Sequence, residues 1–183
     1  KNHAYINSLL EVLEANLSFV PSSTSKKEVA DISLYDHVKL TAAFASAIYA
    51  YLKKQNITDY KTELYKNASL FYDKKAFLLA SLDISGIQKF IYTITTKSAL
   101  KSLRSRSFYL EIMMEHIIDT LLDKLHLSRA NLIYSGGGHC YMILPNTKET
   151  QTIFDEEIKN VNKWFLKHFQ TALYIAGAYV SCS

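Results

Sequence analysis

A chain of 183 residues, of which 49% are hydrophobic and 21% charged, is long enough for one folded domain or for one domain and part of another. Its net charge of +4 is too small to indicate nucleic-acid binding by itself. We find no signal-peptide pattern, and the longest apolar stretch, residues 42–52, is too short to cross a bilayer. We therefore expect a cytoplasmic protein without a membrane partner. Cys140 and Cys182 lack the spacing of metal ligands, so we predict reduced thiols.

The first part of the chain is predicted to be helical. Apolar residues recur with helical spacing over residues 5–17. A second helix is predicted over residues 34–52, with Asp31 or Ser33 as its N-cap. Small residues occur on all sides of this second helix, which predicts tight packing on several sides. They are Ala42, Ala43, Ala45 and Ala47.

Strands and helices alternate in the rest of the sequence. A buried strand over residues 76–82 leads into a helix that starts near Ser85, and a second helix follows that is strongly amphipathic. Its predicted core positions are Leu110, Met114, Ile117, Leu121 and Leu125. Two apolar runs joined by glycines predict a hairpin. Thr147 or Thr150 opens a further helix, and a strand over residues 172–181 follows it. The core positions of that helix are Phe154, Ile158, Val161 and Phe165.

The order β-α-β-β-α-β predicts an α+β fold of the ferredoxin-like type, preceded by a helical segment. In this fold the first and third strands lie side by side at the centre of the sheet. We predict three parts: a helical segment over residues 1–55, a connector over residues 56–75 and the ferredoxin-like domain over residues 76–183.

Four of the five glycines lie in two short stretches, residues 82–87 and 134–139. Glycine is favoured where the backbone turns sharply or where a ligand approaches closely. The first stretch is a predicted strand-to-helix elbow and the second a predicted hairpin tip. Both meet the same sheet, so we predict that they are neighbours. Since two residues suffice for the turn, we favour a ligand-approach role for the triple glycine over a merely flexible hairpin.

In polymerase-type palms and nucleotide cyclases, this corner of the fold is the active site, where carboxylates hold metal ions. Asp83 has the position of the first carboxylate, although a helix cap or a buried, hydrogen-bonded carboxylate explains it equally well. The N–H groups of Ser85, Gly86 and Ile87 are positioned to bind phosphate oxygens. Gly138 and His139 cannot supply two hard oxygen ligands for magnesium, so this unit is predicted to be catalytically weak or inactive alone. It can still offer glycine backbone and the Ser135 hydroxyl to a nucleotide.

A basic run precedes the amphipathic helix, with no acidic residue between Thr93 and Glu111. Two interpretations are open: a solvated surface, and contact with the phosphates of RNA or of a nucleotide. The run consists of Lys97, Lys101, Arg104 and Arg106. His37, next to Asp36, becomes a metal-ligand candidate only where other ligands converge on it.

Three ordered motifs resemble the large subunit of type III CRISPR–Cas effector complexes, most closely the III-A (Csm) form. They are Leu82-Asp83-Ile84-Ser85-Gly86-Ile87-Gln88-Lys89-Phe90-Ile91-Tyr92, Ser102-Leu103-Arg104-Ser105-Arg106-Ser107-Phe108-Tyr109-Leu110 and Asn131-Leu132-Ile133-Tyr134-Ser135-Gly136-Gly137-Gly138. The resemblance implies a protein with an HD nuclease domain that cuts single-stranded DNA, two palm domains and further domains. This chain, which starts with Lys rather than Met, would be the end of the HD domain and the first palm.

In that family the two palms face each other, bind two ATP molecules and join ATP into cyclic oligoadenylate when target RNA is bound. The second palm carries the catalytic hairpin, with Mg or Mn ions. By motif position, the nucleotide contacts of this chain would be Ser85, Gly86, Ile87, Ser135 and Gly136. Asp83 and His37 would be the metal-ligand candidates, although the His-Asp dyad of the HD domain is absent. The implied partners are the second palm, other effector subunits, guide RNA and target RNA.

Two other hypotheses remain open. The first is a free-standing cyclase that dimerises through its palm, against which the missing hairpin carboxylates argue. The second is an RNA-binding or scaffold module of the same fold, for which Tyr141 is a candidate exposed aromatic residue.

Overall fold

The computed structural model describes residues 2–25, 27, 29, 31–92 and 99–183. Two long helices come first, α1 (Asn2–Leu17) and α2 (Leu34–Lys54). Of the two predicted N-caps of α2, Ser33 is the one observed, because its side-chain oxygen accepts a hydrogen bond from the backbone N–H of Asp36 at 3.0 Å. No helix in the described ranges is both long enough and apolar enough to cross a membrane.

The segment predicted as a connector contains two short helical pieces, a π-helical turn (Thr62–Lys66) and α3 (Ala68–Tyr72). An ion pair between Lys74 and Glu63 links its two ends. Its apolar side chains line a cleft of about 390 Å³ together with α2 and the start of the first strand.

Within residues 77–92 and 99–183, the structure describes four strands and three helices with a short 3₁₀ turn. They are β1 (Phe77–Ser85), α4 (Ile87–Tyr92), α5 (Ala99–Lys124), the 3₁₀ turn (Arg129–Asn131), β2 (Leu132–Gly136), β3 (His139–Pro145), α6 (Lys148–Phe169) and β4 (Tyr174–Cys182). The strands form one antiparallel sheet in the order β2-β3-β1-β4. This topology confirms the predicted ferredoxin-like fold with the first and third strands at the centre.

Strand β1 ends three residues later than predicted, and the helix predicted to start near Ser85 starts at Ile87. Ser85 is the last residue of β1 and is paired with Tyr174 of β4. The strand continues because Ile84 is buried and its N–H donates to the carbonyl of Gly138 at 2.8 Å. Helix α4 begins only after Gly86, whose φ of +90° turns the chain out of the sheet.

The main core lies between one face of the sheet, here called the helix face, and helices α5 and α6. Alternate residues of β1 are buried on this face, as expected for a strand of period two. The predicted core positions of α5 and α6 pack here, with Leu125, Ile158 and Val161 partly buried and the others buried. Helix α6 is capped by Thr147, whose side chain accepts from the N–H of Thr150 at 3.1 Å.

Helix α2 covers part of the opposite face of the sheet, here called the open face. Ala43 and Ala47 are fully buried and form a second apolar cluster with Ile143 of β3. Ala42 and Ala45 are exposed, so the prediction that small residues give α2 tight packing on all sides was wrong for these two positions. The small residues serve one side only, where they allow the helix backbone to lie close to the sheet.

A buried asparagine joins α2 to the sheet. The Asn131 side chain is completely buried, and its amide nitrogen donates to the carbonyls of Ala43 at 3.2 Å and Ile143 at 2.9 Å. Its amide oxygen accepts a hydrogen bond from the Ser46 hydroxyl at 3.1 Å. Asn131 thus satisfies backbone groups of α2 and β3 at once, which fixes the helix over one end of the sheet.

We expect Asn131→Ala to lower the free energy of unfolding by about 3 kcal/mol, because it leaves buried carbonyl and hydroxyl groups without partners. Urea denaturation followed by circular dichroism measures this change. The matched control is Asn160→Ala at an exposed position of α6, which we expect to change stability by less than about 0.5 kcal/mol. Equal effects of the two substitutions would contradict the role given to Asn131.

Both cysteines are free, as predicted, but they differ in burial. Burial raises the pKa of the Cys140 thiol to about 11, whereas Cys182 is partly exposed. Because the thiolate is the reactive form, iodoacetamide at pH 8 should alkylate Cys182 and leave Cys140 unmodified in the native protein. Mass spectrometry of the peptides measures this, with the urea-unfolded protein as control, in which both should react. Rapid native modification of Cys140 would show that this strand opens.

Candidate functional site

The two glycine motifs are in contact, as predicted from the topology. Gly137 and Gly138 form the two-residue turn between β2 and β3, with φ values of +62° and +84°. Positive φ at both positions defines the hairpin turn that matches the twist of the strands. The Gly138 carbonyl accepts the Ile84 N–H, and the Ile87 side chain lies where a Cβ of Gly138 would be. The tip of the hairpin is therefore packed on the end of β1 and on the first turn of α4.

Packing and backbone conformation explain why glycine occurs at these positions without invoking a ligand. A Cβ on Gly86 would lie 2.0 Å from the carbonyl oxygen of Ala172, so this position needs glycine for close approach as well as for its φ. A Cβ on Gly136 would lie 2.6 Å from the Tyr134 hydroxyl oxygen, because this ring lies over the strand end. The ligand-approach role of the triple glycine thus stays a prediction.

A small polar cluster lies on the open face beside the turn. Asp83 is paired with His139 across β1 and β3, and Asp83 Oδ1 lies 3.5 Å from His139 Nδ1. The Ser85 hydroxyl donates to Asp83 Oδ2 at 3.3 Å. About half of the Asp83 side chain and a third of the His139 side chain are exposed. Asp83 is therefore neither a helix cap nor a buried carboxylate, and its oxygens are accessible from the open face.

Aromatic side chains adjoin this polar cluster. The His139 ring packs edge-to-face on Tyr141, with centroids 4.6 Å apart. Tyr141 is paired with Tyr134 of β2, and both are substantially exposed. The open end of the sheet therefore presents one carboxylate, one imidazole and two phenol rings, a combination suited to bind a ligand with both hydroxyl groups and a flat ring.

Ser135, predicted to contact a nucleotide, has a different partner in the structure. It is paired with Cys140, whose side chain is buried on the helix face, and its hydroxyl donates to Glu115 Oε1 on α5 at 2.7 Å. Its side chain is therefore not part of the cluster around Asp83. A nucleotide contact through this hydroxyl stays a prediction and would require exchange of its partner.

Glu115 also belongs to an ion-pair network that supports the hairpin. Its Oε2 lies 2.6 Å from Arg129 Nη1, and Arg129 Nε donates to Asp119 at 2.8 Å. The hydrogen bond to Asp119 raises the pKa of Arg129, so its guanidinium remains charged. This network holds the start of β2 against α5.

The two arginines of the predicted basic run differ in their contacts with the rest of the fold. Arg106 Nη1 donates to the Phe90 carbonyl at 2.6 Å, and its guanidinium lies 5.3 Å from the centroid of the Phe90 ring. Arg106 therefore links α5 to α4. A phosphate contact of Arg106 stays a prediction, and the phosphate would have to compete with these interactions. Arg104 and Lys101 are exposed, whereas Lys97 lies outside the described residues.

The metal-ligand candidates do not converge. His37 is exposed on α2, while Asp36 accepts a hydrogen bond from the Ser33 hydroxyl at 2.7 Å. Within the described residues, no group of three or more His, Cys, Asp or Glu side chains is arranged to hold a metal ion. Asp83 and His139 alone do not form the set of hard oxygen ligands that Mg²⁺ or Mn²⁺ prefers.

Several residues of this region were not identified from the sequence. Asn131 and Glu115 act through partners distant in the chain, for which their own positions give no signal. From the sequence, His139 was treated only as a residue that cannot supply an oxygen ligand for magnesium. Its position opposite the predicted strand carboxylate could have suggested the pair with Asp83.

Comparisons with known proteins agree with this fold. The family described as Csm1 subunit domain B matches residues 76–183. A relative from Streptococcus thermophilus, a CRISPR system single-strand-specific deoxyribonuclease Cas10/Csm1 of subtype III-A, is 56% identical over 175 residues. This match covers 96% of the chain and 23% of the relative, so the chain spans about a quarter of that protein.

Solved structures of Csm1–Csm4 cassettes have the same fold. A cassette in complex with one ATP superposes with a TM-score of 0.81 at 35% identity, covering 97% of this chain and 23% of the solved one. A cassette in complex with cA4 gives a TM-score of 0.80 at 36% identity, covering 96% and 22%. The fold is thus that of a subunit domain from CRISPR systems of subtype III-A. The chain belongs to the Csm1 family.

We expect Arg106→Ala to lower the free energy of unfolding by about 1–2 kcal/mol, because it removes a charged hydrogen bond and a cation–π contact between α4 and α5. Arg104→Ala is the matched control on the same helix and should change stability by less than about 0.5 kcal/mol. Urea denaturation of both variants measures the difference. Equal stability of the two variants would argue against a structural role for Arg106.

Proposed function

We propose that this chain is part of the large subunit of a type III-A CRISPR effector complex, and that its palm binds ATP as the non-catalytic half of a composite site. The observation that carries the proposal is the contact between the end of β1 and the glycine turn beside an uncovered part of the sheet. Membership in the Csm1 family, and the relatives solved with ATP and with cA4, support the nucleotide as the ligand.

In the proposed function, the two glycine motifs position the nucleotide. The predicted contacts are Ser85, Gly86, Ile87, Ser135 and Gly136. At the turn, Gly137 has open space beside its backbone, which allows close approach of a phosphate or a base edge, whereas a contact at Gly136 requires the Tyr134 ring to move. The packing of the turn on Ile87 holds its backbone groups in place before the ligand arrives.

Catalysis of cyclic oligoadenylate synthesis is assigned to a second palm of the same polypeptide. The hairpin of this chain carries His139 where a catalytic palm would carry a carboxylate, so it contributes binding and orientation rather than metal chemistry. Mg²⁺ or Mn²⁺ would enter with ATP and the second palm. Since the described residues do not form a metal site, we assign no step to a metal ion held by Asp83 or His37.

The remaining activities and partners are proposals for the full-length protein. The Streptococcus relative carries the name of a single-strand-specific deoxyribonuclease, and we propose such a nuclease in an HD domain to which residues 1–55 contribute. The proposed partners are other effector subunits, including a Csm4-type subunit, together with guide RNA, target RNA and single-stranded DNA. We propose the cytoplasm as its location.

An RNA-binding module is the second candidate function. Exposed aromatic residues on central strands are the recognition surface of sheet-type RNA readers, and Tyr141 on β3 is such a residue. RNA binding that is lost in Tyr141→Leu, in a protein that does not bind ATP, would favour this function. The exposed Arg104 offers a separate phosphate contact that Arg104→Ala would test.

Calorimetry of ATP binding in the presence of Mg²⁺ tests the proposed function. We expect binding to the full-length protein and its loss or weakening in a version without the second palm. Absence of binding to a folded full-length protein would refute the assignment. Equal binding without the second palm would refute the composite site.

We expect Gly138→Ala to weaken ATP binding about tenfold, because strain of about 1–2 kcal/mol at a φ of +84° displaces the turn from Ile87 and β1. The matched control is Gly137→Asn, since this position has open space and asparagine tolerates positive φ. Calorimetry measures both affinities in the full-length protein. Equal affinities of Gly138→Ala and the unchanged protein would remove the turn from the proposed site.

A further inference from the structure

The charge of the open face limits which part of a nucleotide can lie on it. The strand positions of this face beyond α2 include Asp83 as their one acidic residue and contain no lysine or arginine. Besides Asp83, the polar and aromatic positions of this face are Ser81, Ser85, Tyr134, His139, Tyr141 and Tyr174. A triphosphate next to Asp83 would be repelled by the carboxylate, whereas hydroxyl groups would donate hydrogen bonds to it.

Asp83 has acceptor capacity for such hydroxyl groups. Its Oδ2 accepts one hydrogen bond from Ser85 at 3.3 Å, and its Oδ1 lies 3.5 Å from His139 Nδ1. An ionised carboxylate offers about four acceptor positions on its two oxygens, so these two contacts leave room for further donors. The side chain is 51% exposed, which leaves the oxygens accessible. A ribose diol supplies two adjacent O–H donors of the kind that a carboxylate recognises.

Tyr141 lies at a suitable position for the base. It follows His139 by two residues on β3, a spacing of about 7 Å along the strand, which is the scale of a nucleoside. The Tyr141 side chain is 41% exposed, and the edge-to-face contact with His139 fixes one side of the ring. A flat aromatic base gains stacking energy on such a ring without requiring a particular base sequence.

We propose that the open sheet face binds the nucleoside half of the nucleotide, with the ribose hydroxyls donating to Asp83 and the base stacked on Tyr141. This inference rests on the proposed function and specifies how that site holds its ligand. Asp83 then binds the sugar, while the phosphates lie away from it, towards the backbone groups of the turn.

The first test compares ATP with 2′,3′-dideoxyadenosine triphosphate by calorimetry of the full-length protein, and needs no variant. Loss of hydrogen bonds to a charged acceptor should weaken binding about tenfold or more. Asp83→Asn should reduce the affinity for ATP to a similar extent and leave that for the dideoxy nucleotide nearly unchanged. The matched control, Asp155→Asn at an exposed position of α6, should retain the full preference for ATP.

The second test examines the base platform. Tyr141→Leu should weaken ATP binding about fivefold or more, whereas Tyr65→Leu, at an exposed tyrosine of the π-helical turn away from the site, should not. Circular dichroism of each variant verifies folding, and the dideoxy comparison stands even where a variant does not fold.

The outcomes separate this inference from the proposed function. If ATP does not bind the unchanged protein, the proposed function fails and the inference fails with it. If ATP binds and the dideoxy nucleotide binds equally well, only the inference fails. An equal loss of both nucleotides in Asp83→Asn, together with loss of the Mg²⁺ dependence of binding, would overturn ribose recognition in favour of a metal role for Asp83.

Discussion

The completely buried side chain of Asn131 determines how the two parts of this chain fit together. Its amide group bonds to α2 through Ala43 and Ser46 and to β3 through Ile143. Because buried polar groups without partners are costly, α2 cannot shift along the sheet without breaking all of these bonds. Helix α2 is therefore held over one end of the open face, and the end that carries Asp83 and the glycine turn remains accessible.

Whether a polar side chain already has hydrogen-bond partners inside the fold also explains which predicted site residues are available to a ligand. Ser135 and Arg106 have charged or polar partners inside the fold, Glu115 and the Phe90 carbonyl, and contribute to the position of the hairpin and of α4. Asp83, His139 and Tyr141 have only weak contacts with one another and are partly exposed. Residues whose hydrogen bonds are not saturated by the fold can exchange them for a ligand at little cost.

A palm whose hairpin lacks carboxylates can still be essential to a composite site. Its sheet supplies a surface with one carboxylate and no lysine or arginine at its exposed strand positions, and its turn supplies backbone groups at a fixed distance from the end of β1. In the proposed function, such a unit binds and orients a nucleotide, while a second unit supplies the metal chemistry. In the proposed arrangement, binding energy from this half serves to align the ligand for reaction on the other half.

Local patterns in the sequence were sufficient for the order and type of the elements. The spacing of Leu110, Met114, Ile117 and Leu121 predicted the buried side of α5, and Gly137 with Gly138 predicted the tight hairpin, because helix periodicity and positive φ depend on neighbouring residues alone. The ferredoxin-like topology, with its two glycine motifs in contact, followed from that order of elements.

What depends on contacts between distant residues was decided only by the tertiary structure. The end of β1 at Ser85 depends on pairing with Tyr174, which is distant in the chain. Three other features also depend on contacts between residues distant in the chain. They are the burial of Ala43 and Ala47 of α2, the hydrogen-bond partners of Asn131 and Ser135, and the pair between Asp83 and His139. Hydrogen bonds and burial between such residues exist only after the chain has folded, so no local pattern encodes them. The sequence by itself therefore determined the fold class and the region of the proposed site, and the tertiary structure decided which side chains are exposed there.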